Sequence, residues 1–215
     1  MKKIISFSLW GDNPTYTVGA IKNADLALDI YPGWICRYYV GKSAPADIID
    51  ALIQRENTEV FVMNEEGDWT GMFWRFYPAS EPDVEVMLSR DTDSRLSLRE
   101  RVAVDDWLDG DKDFHIMRDH PHHATEILGG MWGVRNGFLL GMRQAISDYT
   151  KGDFWQVDQN FLKEVVYPYI INSVCVHDEF FQKNPFPTLR TPKHFVGQAF
   201  DAADNFLHPE HGDLV

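Results

Sequence analysis

Cysteine is close to absent. The chain of 215 residues has two, Cys36 and Cys175, far apart and in the apolar contexts GWICRYY and SVCVHD. One possible pair cannot make a disulfide framework, so two buried free thiols in a reducing compartment are expected. Long hydrophobic runs are absent as well. The opening MKKIISFSLW has two lysines and a short apolar run broken by serines. That is too short for the core of a secretion signal and far too short for a membrane span. The expectation is a cytoplasmic protein with no membrane span. Positive charge is scarce: 20 Lys and Arg against 33 Asp and Glu leave a formal net charge of −13, and no basic stripe offsets it. Such a chain repels phosphate backbones, which argues against a nucleic-acid partner. A small anion can still bind through a metal and a few local arginines. Repeats, low-complexity tracts and a dividing linker are missing too, so residues 1–215 read as one domain. The tail FLHPEHGDLV offers no evident final element, which leaves room for a longer polypeptide of which this is one domain.

What is present is a regular alternation. KKIISFSLWG reads as a strand stopped at Gly11, and DNPTYTVGAIKNADLALDIYPG as a helix ending before Pro32-Gly33. WICRYYVG is a second strand. SAPADIIDALIQRE has Ser43 as a cap candidate, Pro45 in the first turn, and Ile48, Ile49, Leu52 and Ile53 at helical spacing. TEVFVMN is a third strand, GMFWRFYPA a helix closed by Pro78, and VEVMLSRD a fourth strand. The first 93 residues thus read β-α-β-α-β-α-β. Short apolar strands alternating with helices predict an α/β class with a mostly parallel central sheet flanked by helices. Beyond it, Ser97 and Glu100 form a capping box for a helix that ends at Gly110. DFHIMRD is a strand, DFWQVDQNFLKEVVYPYI a helix started near Asp158 and stopped by Pro168, and SVCVHDEF a late short strand. The proline-rich QKNPFPTLRTPKHFVGQAF reads as extended loop.

The chemistry centres on RDTDSR. Asp91 and Asp93 follow the fourth strand, and in an open α/β sheet ligands gather at the carboxyl ends of strands. Two carboxylates at i and i+2 can meet one hard divalent cation, which then bridges to a diphosphate. The plainer reading is an acidic turn. Arg90 and Arg95 can offset phosphate charge, or simply pair locally, which suits Arg95 better. A third metal ligand is sought in His177 of VCVHDEF, otherwise a structural histidine. The loop RDHPHHATE holds Asp119, His120, His122 and His123 without a zinc spacing, and reads as a substrate-side or plain surface loop. Gly129 and Gly130 in EILGGMWG permit close backbone approach to a ligand, or a turn. Asp158 is a helix N-cap or a contact to a sugar hydroxyl, with Gln159 beside it. Arg75 lies among Phe73, Trp74 and Phe76, so it either snorkels to solvent or reaches a phosphate. Aromatics make up 13% of the chain, with seven Trp, which suits cores and sugar-binding surfaces alike.

Taken in order, ISFSLWG, FWRF, RDTDSRL, ILGGMWG, VDQNFL and VHDEF resemble nucleotide-sugar glycosyltransferases of the GT-A fold. The nearest likeness is to the small glycosyltransferase domains of chlorella viruses, which are large DNA viruses, that act on the major capsid protein. The resemblance spans nearly the whole chain. It implies a Rossmann-like domain with a nucleotide-binding half over residues 1–93 and an acceptor and sugar-side half over 94–215. It implies Mn²⁺ (or Mg²⁺) on Asp91, Asp93 and His177. It places the donor, a UDP-sugar, against Ser6, Phe7, Ser8, Trp10, Arg75, Arg90, Asp91, Gly129 and Gly130. Asp158 and Gln159 fall on the sugar side, and Asp158 and Asp119 are the candidate bases for the acceptor hydroxyl. The implied reaction moves a hexosyl or deoxyhexosyl unit to a glycan or glycoprotein acceptor, in the host-cell cytoplasm if the protein is viral. The match of VDQ to retaining enzymes favours retention. One departure is the missing H-x-x-G-x-x-K-P-W run after the late histidine, of which HDEFFQKNPFP keeps only Lys183 and Pro185. Two other readings stand beside this one. A haloacid-dehalogenase-like phosphatase also sets D-x-D after a strand, but DTDSR lacks the usual Thr or Val two residues on. A non-catalytic carbohydrate-binding module would stack sugars on Trp10, Trp69, Trp74 and Trp132.

Overall fold

The computed structural model describes residues 1–215. Seven strands, β1 (Lys2–Leu9), β2 (Ile35–Val40), β3 (Thr58–Val62), β4 (Val84–Ser89), β5 (Phe114–Arg118), β6 (Trp132–Arg135) and β7 (Val174–Asp178), form one sheet. Their order is β3-β2-β1-β4-β6-β5-β7. Neighbours run parallel except β6, which is antiparallel to both β4 and β5. The sheet is therefore mostly parallel, as the strand-helix alternation predicts. The reversal at β6 has no counterpart in that pattern, because a four-residue strand after a long loop shows no direction.

Strand alternation sorts the sequence onto two faces. Ile5, Phe7 and Leu9 of β1 pack with Tyr38, Leu88 and Trp107 beneath α1 (Pro14–Ile30) and α3 (Leu98–Asp109). Ile4 faces the other way, against Phe73, Phe76, Trp132 and Phe161. Each such fully buried side chain contributes roughly 1.5–3 kcal/mol. Helix α1 starts where Asn13 accepts from the Thr15 amide at 3.0 Å, with Pro14 in its first turn. Its sheet-facing stripe is small (Gly19, Ala20, Asn23, Ala24, Ala27). It therefore lies close to the loop that follows β4. A Cβ on Gly19 would run into the Thr92 carbonyl. The Asn23 side chain donates to the Ser94 carbonyl at 2.9 Å and accepts from the Leu96 amide at 3.0 Å. One polar side chain of α1 thus fixes both ends of the turn after Asp93.

Several local expectations change. Helix α2 (Ala46–Ile53) has no side-chain cap. Ser43 instead accepts from the Gly11 amide at 2.8 Å and donates to the Glu66 carbonyl, tying the β1 and β3 loops together. Trp69–Ser80 is a 3-10 helix that runs past Pro78. Four bulky aromatics within Phe73–Tyr77, and a proline without an N–H, weaken a regular α ladder there. Ser97 caps α3 by accepting from the Glu100 amide at 3.3 Å, but the box is not reciprocal. The Glu100 carboxylate turns inward, accepting from Tyr31 Oη and Arg90 Nε at 3.0 Å each. Pro168 does not stop its helix. After α4 (Met142–Asp148) and α5 (Val157–Phe161), a π turn (Leu162–Val166) leads into α6 (Tyr167–Ile170). The wider turn makes room for a proline ring that would clash with a regular helix. Cys36 is buried, but Cys175 is only half-buried, so the expected pair of buried thiols is corrected to one. No helix is long and apolar enough to cross a membrane.

The segment after β7 is extended, and the Asp178 carboxylate pins its start. Asp178 accepts from the amides of Phe180, Phe181 and Gln182 (2.9, 2.8 and 3.1 Å) and from Arg118 Nε at 2.8 Å. Burial alone would raise its pKa, but these amides and Arg118 outweigh burial and hold the carboxyl below its usual range. A depressed carboxyl stabilises the fold above the ordinary carboxylate range, and that contribution is lost as pH falls through the lowered value. Asp178→Ala is expected to cost about 3–5 kcal/mol in urea unfolding, because it leaves buried Arg118 unpaired. The gap between wild type and variant should narrow in acid as the wild-type carboxyl protonates.

Candidate active site

A cleft of about 490 Å³ opens at the carboxyl ends of β1 and β4. Its walls are the β1 exit, the Asp91–Asp93 turn, the Gly129–Met131 loop, the Trp155–Gln159 approach to α5, and the inner side of the 3-10 helix. The aspartates are held there by backbone. The Arg90 amide donates to the Ser6 carbonyl at 3.0 Å, extending the β1–β4 pairing, and the Asp93 carbonyl accepts from the Phe200 amide at 2.8 Å.

Arg75 joins these walls. Its amide donates to Ser8 Oγ at 3.0 Å, its Nη1 pairs with Asp91, and its Nη2 meets Asp158 at 2.8 Å. It is 5% exposed, so the apolar run around it delivers a buried cation. Among the lining residues Arg75 is the one Lys or Arg, against Asp12, Asp91, Asp93 and Asp158. Negative charge is in excess. Burial, and then the neighbouring Asp91 carboxylate, push Asp93 up to about 7. Burial also raises Asp158, against the pull of Arg75. Two neighbouring acids whose repulsion Arg75 offsets only in part, one of them with a 43% exposed side chain, suit a hard divalent cation. Such ions accept one or two carboxylates and fill the remaining positions with water and phosphate oxygen. The glycines make the space: a Cβ on Gly130 would overlap the Asp91 carboxylate, and one on Gly129 would overlap Asp158 and Arg75.

The structure brings together Ser8, Trp10, Arg75, Asp91, Asp93, Gly129, Gly130, Asp158 and Gln159. It does not bring His177. That ring lies on β7 at the far side of the sheet order, between His115 and Asp106. Its place as a ligand of the Asp91-Asp93 ion is corrected. Asp119 is corrected as a base: both carboxylate oxygens are filled by Arg99, Arg190 and the Val196 amide, and it anchors the C-terminal segment. Arg90 is corrected too, since its guanidinium points inward to Glu100 and to the carbonyls of Ser89 and Trp132. Ser6 and Phe7 are fully buried behind the cleft, with Phe7 stacked on Tyr38 at 4.9 Å. Arg95 pairs with Asp204 at 2.9 Å rather than with the aspartates. Trp74 and Trp132 are buried and offer no sugar-stacking face, whereas Trp10 and Trp69 line the cleft.

Sequence reasoning missed Asp12, Asn13, Tyr16, Met72, Met131, Trp155 and Gln156 as lining residues. For Asp12, Asn13 and Tyr16 the signal was present, since a turn leaving the first strand sits at the ligand edge. For Trp155 it was an exposed aromatic just ahead of Asp158. Gln156 has φ 70, a left-handed conformation uncommon outside glycine, next to the site.

No protein-family model matches the chain, and no curated protein matches it. Solved structures do. Glucosyl-3-phosphoglycerate synthase from Mycobacterium tuberculosis, in complex with uridine diphosphate, superposes with a TM-score of 0.51 at 11% identity, over 88% of this chain and 73% of that one. The chain has a GT-A, Rossmann-like fold. The same GT-A frame superposes on 4-diphosphocytidyl-2C-methyl-D-erythritol synthase from Anaerococcus prevotii, with a TM-score of 0.50 at 12% identity over 88% of this chain and 92% of that one. TarS from S. aureus gives 0.50 at 13% identity, over 83% of this chain and 58% of that one.

Within this GT-A frame, Arg75 and Gly130 separate stability from binding. Arg75→Ala leaves buried Asp158 unpaired and is expected to cost about 3–5 kcal/mol in denaturant unfolding. Gly130→Ala presses chiefly on the Asp91 carboxyl group and comes to 3.0 Å from the Asp91 amide nitrogen. It should keep the melting temperature within a few degrees of wild type and abolish Mn²⁺ uptake at the cleft, read by calorimetry.

Proposed function

We propose that this cleft transfers a hexosyl or deoxyhexosyl unit from a UDP-sugar to a hydroxyl of a glycan or glycoprotein acceptor. The observation that carries the reading is the Asp91–Arg75–Asp158 chain of contacts at the strand ends, beside Asp93 and under Gly129-Gly130. Asp91 and Asp93 would hold Mn²⁺ or Mg²⁺. When bound, that ion supplies Lewis-acid stabilisation of the departing diphosphate. Arg75 keeps Asp91 and Asp158 in place. Ser8, Trp10 and Tyr16 lie where a uridine would rest. Asp158 and Gln159 lie where the transferred sugar would sit, with the Gly129-Gly130 backbone close against it. Asp158 is buried and already paired with Arg75, so it is a poor base for an acceptor hydroxyl. That supports departure and attack on one face of the sugar, with retention. The acceptor class rests on the resemblance to capsid-glycosylating domains of large DNA viruses.

Nucleotidyl transfer on the same frame is disfavoured by charge. A nucleoside triphosphate brings more negative charge than a nucleotide-sugar, and the cleft has one Arg, already committed to two carboxylates. A phosphatase with Asp91 as nucleophile is disfavoured because Arg75 engages that carboxylate. The deciding experiment is UDP release from a panel of UDP-sugars, with Mn²⁺ and with EDTA, for wild type and Asp93→Ala. Release from one sugar that needs metal and falls at least about 100-fold in the variant, the scale lost with one transition-state contact, is the expected result. Binding of no UDP-sugar under any condition would overturn the proposal.

A further inference from the structure

A second cluster lies outside the cleft. His115 and Cys175 are paired residues of β5 and β7, and His177 follows two places on along β7. Period-two alternation sets all three side chains on one face, the face covered by α3. Their ligand atoms lie within 4.8 Å of one another. His115 Nε2 meets His177 Nδ1 at 2.8 Å, and His177 Nε2 meets Asp106 of α3 at 3.2 Å. Trp107 stacks on the His115 ring at 5.2 Å, and Phe186 packs against His177 at 5.5 Å. His115 is wholly buried, and its Nδ1 has no partner.

We infer that His115, Cys175 and His177 form a binding site for a borderline-soft divalent ion, Zn²⁺, separate from the Asp91-Asp93 pair. Two imidazoles and a thiolate are a zinc donor set, and a hard ion such as Mg²⁺ would not choose it. Zinc–nitrogen and zinc–sulfur bonds of about 2.0–2.3 Å set tetrahedral ligands roughly 3.3–3.6 Å apart, so the two imidazole nitrogens must part by roughly half an ångström. Asp106 plays the outer role. It accepts from Nε2–H of His177, which leaves Nδ1 as the lone-pair nitrogen facing His115 and Cys175. Charge closes: two neutral imidazoles, one thiolate and the Asp106 carboxylate offset the two positive charges of the ion. On binding, the Cys175 thiol releases its proton, and the proton shared by the imidazoles moves to His115 Nδ1. Cys175 is half-buried, which gives the ion a way in and leaves the fourth position for water.

The test is Co²⁺ titration of the full chain after chelator treatment and dialysis. Cobalt bound to sulfur shows a thiolate-to-metal charge-transfer band. The expected result is one equivalent of Co²⁺ with that band in wild type and in the Asp91→Asn/Asp93→Asn variant, displaced by Zn²⁺. Cys175→Ser should lose the band. Asp106→Asn should keep it with affinity lowered about 10–100-fold. Absence of a thiolate band in wild type overturns the inference, whatever the variants do. So does a band that survives Cys175→Ser, which would point to Cys36. Metal uptake lost only in His211→Ala would place the ion on the exposed His208, Glu210 and His211 group instead.

Discussion

The cleft depends on one buried guanidinium. Arg75 touches the end of β1 through its amide, the turn after β4 through Asp91, and the start of α5 through Asp158. These segments are far apart in sequence; β1 and β4 also pair through backbone, and Arg75 adds the start of α5 to them. Burying an Arg is costly unless charge and hydrogen bonds meet it. Here two carboxylates do, so the three segments hold one another in register. The residual charge also matters. One cation stands against Asp91, Asp93 and Asp158; burial first, and then the Asp91 charge, raise the Asp93 carboxyl. On the proposed reading, a divalent ion on Asp91 and Asp93 would offset that surplus of negative charge.

Rigidity is graded along the cleft. The Asp91–Asp93 end is clamped by Asn23 of α1, by the Phe200 amide and by the contact of Gly19 with the Thr92 carbonyl. Close backbone approach on both sides leaves it little freedom. At the mouth, Trp69 and Trp155 are 45% and 66% exposed. On the proposed reading, a diphosphate would need the fixed end, whereas an acceptor sugar could be met by aromatic faces with some latitude. The distribution of packing fits that division of labour.

Much of this was legible from residues alone. Apolar runs ending in Gly11 or Asp91 mark strands that are buried on both faces, because only those can be apolar throughout. Arg75 stood out as an arginine among three aromatics, expected either to snorkel or to reach a phosphate; the fold buries it between Asp91 and Asp158. Gly129-Gly130 stood out because paired glycines next to apolar residues imply close backbone approach. What stayed hidden depends on direction and pairing. The β6 reversal leaves no trace in WGVR. Arg90 and Arg75 are chemically equal in the sequence, yet one points to Glu100 beneath α3 and the other into the cleft. Asp119 looked like a base on a loop, and the C-terminal segment that satisfies it lies some seventy residues on.

His177 shows where residue type stops being informative. A late histidine after a short strand is a sound metal-ligand candidate by chemistry. Which metal it can serve is decided by the strand beside it. Parallel pairing of β7 with β5 sets His177 near His115 and Cys175, on the α3 face, with β5 and β6 between it and the Asp91 strand. Without His177, an ion proposed on the two aspartates would take its remaining ligands from water or phosphate oxygen. On the proposed reading, such an ion would arrive and leave with the nucleotide rather than reside in the cleft. The softer donors His115, Cys175 and His177 lie together on the α3 face, away from the cleft. On the proposed readings, β6 and β5 keep the hard and soft donors apart, so that neither set would compete for the other's ion.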